Sequence, residues 1–115
     1  MTKFNVQKIK DYLTVFGLEK MLYLWSEYTA EASRMWDHID NTDWEQKRMF
    51  FHNWRSGAKI FGMDNFAHYS QLIEENILKK RLDKASKQIP DAKEIYINQV
   101  KEVEEFFRNE EQNNG

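Results

Sequence analysis

Backbone breakers are scarce in this chain. Gly17, Gly57, Gly62 and Pro90 are the internal Gly and Pro, and Gly115 is the last residue. A chain with so few turn formers must travel in long regular stretches, and that favours helices over strands. The apolar spacing predicts five of them. The first runs from about Asn5 to Phe16, with Val6, Ile9, Leu13 and Phe16 on one side and Gly17 to end it. The second runs from about Leu18 to Ile39 on a stripe of Leu18, Met21, Leu22, Trp25, Tyr28, Ala32, Met35 and Ile39. After the polar turn at Asp40–Asp43, Thr42 or Asp43 can cap a third helix from Trp44 to Phe61, which Gly62 stops. Asp64 or Asn65 can cap a fourth, about Phe66 to Lys84, with Phe66, Tyr69, Ile73 and Ile77 inward. Pro90 suits the first turn of a fifth, carrying Ile95, Tyr96, Val103, Phe106 and Phe107 to about Asn109, and residues 110–115 read as a frayed polar tail. The expected fold is all-α: an up-down-up-down four-helix bundle with a short extra N-terminal helix, one domain over residues 1–115.

Composition narrows the function. Four Trp, five Tyr and eight Phe supply a real core and exclude a disordered chain. With no Cys there is no disulfide scaffold, thiolate metal site or Cys nucleophile. No apolar run reaches the ~18 residues a membrane span needs, and the first ten residues lack a secretory signal pattern, so a soluble, cytoplasmic protein is expected. A net charge of −2, with 17 basic residues scattered among 19 acidic ones, does not suit a nucleic-acid binder.

The third helix carries a local exception. On a wheel, Trp44, Phe50, Phe51, Trp54, Ala58 and Phe61 share an arc of about 120° that must face the core. His52 falls roughly 140° from the centre of that arc and should face solvent. Arg48, Arg55, Ser56 and Lys59 lie four before, three after, four after and seven after it, on the same exposed face. Neighbouring cations would favour a neutral imidazole, whose ring nitrogen can act as a nucleophile, and would then meet the charge of a bound phosphoryl group. Met49, Ile60 and Met63 lie near the edge of this face as an apolar docking rim. A plain solvated helix face carries the same residue types. Lys47 falls inside the apolar arc, with a stem long enough to reach water from the first turn.

The run His52-Asn53-Trp54-Arg55-Ser56-Gly57-Ala58-Lys59-Ile60-Phe61-Gly62 resembles the signature of histidine-phosphotransfer domains. That family shows an apolar residue two places after its His, a basic one at three, Gly at four, a small one at six and Gly at ten. Here those positions hold Trp54, Arg55, Ser56, Ala58 and Gly62. Farther on, Phe66, Ser70, Ile73 and Glu74 fit the family's apolar, small, and apolar–acidic positions. A long helix upstream and Asp43-Trp44 opening the His helix also fit. The detailed likeness covers about Leu18 to Leu78. Ser56 departs from it, since the family's Gly leaves room there for the phosphoryl group and the incoming domain. Gly57 is one place late.

The resemblance implies a phosphorelay intermediate. His52 would take a phosphoryl group from an aspartyl phosphate on a receiver domain, through Nε2, and pass it to another receiver Asp. Arg55 would steady the phosphoryl charge. Glu74 would accept the other ring N–H, and Gly62 would permit a tight exit into the fourth helix. Arg48 and Lys59 would add a diffuse field. Expected partners are response-regulator receiver domains or a hybrid sensor histidine kinase. No nucleotide-binding pattern occurs, so no autokinase activity is expected. No cofactor or metal of its own is expected, Mg²⁺ belonging to the partner receiver. A free-standing monomer is expected. The alternative is a non-transferring bundle that sequesters or scaffolds a kinase or receiver, and Ser56 keeps it open. His38 ends the second helix, where it suits the dipole. His68 lies off the inward stripe of the fourth.

Overall fold

The computed structural model describes residues 4–114. Helix α1 spans Val6–Phe16, α2 Leu18–His38, α3 Trp44–Ile60, α4 Asp64–Leu78 and α5 Leu82–Asn114, with a 3₁₀ turn at Ile39–Asn41. The described residues hold no strand. The architecture is the expected all-α, up-down-up-down bundle of four long helices, with the short α1 leaning on α2 and α3. At about 1.5 Å per residue, α5 alone is roughly 50 Å long. That sets the long dimension of the molecule, 49 Å.

Local chemistry explains most of the boundaries. Asn5 caps α1 by accepting from the Lys8 N–H at 3.1 Å. Asp43 and Gln46 form a reciprocal capping box at the start of α3. The α3 C-terminus is a Schellman turn: Met63 N–H donates to the Ala58 carbonyl at 2.9 Å and Gly62 N–H to that of Lys59 at 3.3 Å. Gly62 holds the left-handed position at φ 72°. A Cβ there would sit 2.4 Å from the Asn5 carbonyl oxygen, so only Gly fits. The Asn5 N–H donates to the Gly62 carbonyl at 2.7 Å, and its side chain donates to Asp64 at 2.9 Å. One residue thus ties α1 to the turn between α3 and α4.

The core is strongly aromatic. Trp36 of α2 stacks on Trp54 of α3 at 4.6 Å between ring centroids, and Phe51, Phe66 and Tyr96 close around the pair. Gln99 of α5 is fully buried because its Oε1 accepts the Phe66 N–H at 2.8 Å, filling one of the orphan donors in the first turn of α4.

Four sequence expectations change. The fourth helix ends at Leu78 rather than near Lys84. A second Schellman turn stops it, with Arg81 N–H donating to Asn76 at 2.8 Å and Lys80 N–H to Ile77 at 3.0 Å. Lys80, not Gly, takes the left-handed position at φ 61°. Pro90 lies inside α5 rather than in its first turn. The turns before it are held on α4 by buried Ala85 and half-buried Leu82 and Ile89, and by Asn76 donating to Gln88 at 2.8 Å. The tail does not fray at 110: Glu110, Glu111 and Gln112 are good helix formers, and α5 continues to Asn114, while Gly115 lies outside the described residues. Met63 is fully buried in the turn after α3 and joins the core, so it forms no part of an exposed docking rim.

The two Schellman turns give a paired expectation. Gly62→Ala adds left-handed strain of about 1–2 kcal/mol and an overlap with backbone of about 1–3 kcal/mol. It should lower unfolding free energy by ~3 kcal/mol in a urea titration. Lys80→Gly removes strain without crowding and should raise it by about 1 kcal/mol.

Candidate functional site

The register of the α3–α4 hairpin decides which side chains meet. His52 on α3 and Glu74 on α4 face each other across the pair. His52 Nδ1 lies 3.0 and 3.2 Å from the two Glu74 carboxylate oxygens. The His52 side chain is 49% exposed and that of Glu74 only 9%. An ionised carboxylate can only accept, so the nitrogen that faces it is the one that donates, and in a neutral ring with that tautomer the lone pair lies on Nε2. Nε2 has no protein partner among the described residues.

Glu74 collects more than one donor. Arg48 Nη1 donates to its Oε2 at 3.0 Å, and Arg55 Nη1 lies 3.6 Å from its Oε1. The other two corners of the Arg48 guanidinium are taken by Glu45 at 2.9 and 2.6 Å. These bonds hold the Glu45 carboxyl below its ordinary range and raise the Arg48 guanidinium above its own. The expected ring of cations around His52 is therefore different in kind. Arg48 and Arg55 turn to Glu74, and with Glu45 the four charges cancel. Lys59 is exposed, two turns along α3 from His52. Met49 is exposed beside Arg48, whose Nη2 lies 3.3 Å from its Sδ, while Ile60 is half-buried. Lys47 turns back, donating to the Thr42 carbonyl and lying over the Trp44 ring.

Ser56 is exposed one turn after His52 on α3. Gly57 serves the opposite need. A Cβ on it would lie 2.5 Å from the Tyr28 ring, whose hydroxyl donates to the Trp54 carbonyl at 3.2 Å. Gly57 lets α2 approach α3, so it is not a displaced form of the glycine that the resemblance expects at 56. Glu45 was not singled out from sequence, although its three-residue spacing from Arg48 is the signal that marks it. His38 ends α2 with Nδ1 2.8 Å from the Arg34 carbonyl, a helix-end contact. His68 is exposed on α4.

Among the described residues, no group of three or more His, Asp or Glu side chains could hold a metal ion. None of the helices among them is long and apolar enough to cross a membrane. In comparisons with known proteins, no family model, no curated protein and no solved structure matches the chain.

Gly57→Ala should lower stability by up to about 2 kcal/mol net, the overlap with Tyr28 costing about 1–3 kcal/mol against a gain of about 1 kcal/mol in helix propensity. The His52 ring resonances should stay in place. A loss of stability without movement of those resonances assigns Gly57 to helix packing.

Proposed function

We propose that this chain is a phosphorelay intermediate, with His52 as the residue that accepts and returns the phosphoryl group. The observation that carries this reading is an exposed imidazole whose inner nitrogen is held by a buried carboxylate while its outer nitrogen is free. That arrangement suits nucleophilic attack by Nε2 on the phosphorus of an aspartyl phosphate. The Nε2–P bond forms as the P–O bond to the Asp carboxylate breaks, and the carboxylate leaves. The ring becomes cationic as it takes the phosphorus, and the Glu74 carboxylate 3.0 Å from Nδ1 meets that charge. Arg55, half-buried beside Glu74, supplies positive charge near the incoming phosphoryl oxygens. The return step runs the same chemistry backwards onto a second receiver. The resemblance around His52–Gly62 supports the choice of a receiver domain as partner, and Mg²⁺ for transfer is the receiver's.

Ser56 favours a second reading. Its side chain stands on the exposed face one turn from His52, where the resemblance expects bare backbone. A bundle that docks a receiver or kinase without accepting phosphate would sequester or scaffold it. Incubation with a receiver labelled on its Asp separates the two. The expected result is acid-labile label on this chain that falls to background in His52→Gln, with helical content unchanged. Binding without label would favour the scaffold. Label that survives His52→Gln would place the acceptor elsewhere.

A further inference from the structure

Glu45 stands in the first turn of α3 with most of its side chain in water. It nevertheless grips Arg48 with both oxygens, Nε to Oε1 at 2.9 Å and Nη2 to Oε2 at 2.6 Å. Such a fork fixes the plane of a guanidinium. With two corners held, the third points across to α4, and Nη1 reaches Glu74 Oε2 at 3.0 Å. That oxygen is also the one 3.0 Å from His52 Nδ1. The four residues form one line of hydrogen bonds from the start of α3, across to α4 and back. Arg48 is only 18% exposed, so its contact with Glu74 is largely shielded from water. Arg55 cannot do the same work: at 3.6 Å it adds charge but no directed hydrogen bond.

We infer that Glu45 and Arg48 are positioning residues, which lock the Glu74 carboxylate and thereby fix His52 as the Nδ1–H tautomer with its Nε2 lone pair outward. The inference rests on the phosphorelay reading for its purpose and adds the device that decides which nitrogen is nucleophilic. Glu74 has three rotatable bonds and, left alone, could swing its carboxylate off the ring. A free imidazole exchanges between two tautomers, and one of them hides the reactive lone pair against α4. An exposed pair three residues apart on one helix contributes little to stability by itself. The link to Glu74 distinguishes this pair from such a surface contact.

The test reads the ring itself. The ¹⁵N shifts of His52 are measured on the full chain, at a pH where the ring is neutral, in wild type, Arg48→Met, Arg48→Lys, Glu45→Gln, Glu74→Gln and Arg55→Met. Wild type should show a proton-bearing Nδ1 and a lone-pair Nε2. Arg48→Met and Glu74→Gln should move population to the other tautomer and slow labelling by a phosphorylated receiver about tenfold, as loss of an orienting partner does. Arg48→Lys should restore part of the shift, and Glu45→Gln should move it less than Arg48→Met. Wild-type shifts in Arg48→Met, or an equal change in Arg55→Met, would overturn the inference. If Arg48→Met does not fold, the exposed Glu45→Gln decides, and unchanged ring shifts in it overturn the proposal. The tautomer is read without a partner. Ring shifts that follow Arg48 in a chain that takes no label would therefore remove only the phosphorelay reading, and label transfer with a tautomer indifferent to Arg48 would remove only the positioning role.

Discussion

The turn at Gly62 is the constraint on which the rest depends. It folds α4 back along α3 with no slack, so the pairing of side chains across the two helices is set by counting residues from the turn. His52 lies ten before it and Glu74 twelve after, and they meet at hydrogen-bond distance. A slip of one residue in either helix would rotate its side chain by about 100° and separate the two. The turn is held from outside as well. The Asn5 backbone fills the space where a side chain on residue 62 would go, and the Asn5 N–H bonds to the Gly62 carbonyl. The short α1 is therefore a brace for the hairpin that presents the imidazole.

Helix α3 works on three faces at once. Its inner face, Phe51, Trp54 and Ala58, is fixed in the aromatic core. A second face receives Tyr28 of α2 over Gly57. The third carries Arg48, His52, Arg55 and Ser56. Because the first two are closely packed, the third has little freedom to shift. A reactive group on such a helix is held more accurately than one on a loop. The buried Glu74 carboxylate is tolerated because Arg48 and the His52 ring both engage it. Unpaired, it would be a costly group to place at that depth.

Legibility followed the range of the interactions. The limits of α2 and α3 could be read to within a residue or two, because the signals that set them are local: the Asp43–Gln46 box, the apolar period and Gly62. The outward aim of His52 came from the same period. The α4–α5 boundary escaped, since Lys80 in a left-handed conformation has no mark in the sequence and Pro90 looks like a start when it is an interior residue. Met63 looked like part of a rim on the helix wheel, yet it comes after the turn, where the wheel no longer applies. At the site, Glu74 was anticipated through resemblance alone. The true partners of Arg48 needed the register between two helices, which no single-helix reasoning can supply.

Pro90 has a consequence for how the bundle breathes. Lacking an N–H, it leaves the Ser86 carbonyl without its rung in the α5 ladder. The eight residues before it are joined to the rest of α5 by a thinner weld than a continuous helix would have. They are held down by Ala85, Ile89 and the Asn76–Gln88 bond on α4. Hydrogen exchange should then divide α5 unevenly, quick in the stretch before the proline and slow through Tyr96, Gln99 and Val103. Looseness of that kind would be confined to the far end of the hairpin, leaving the Gly62 end as the stiff part of the molecule.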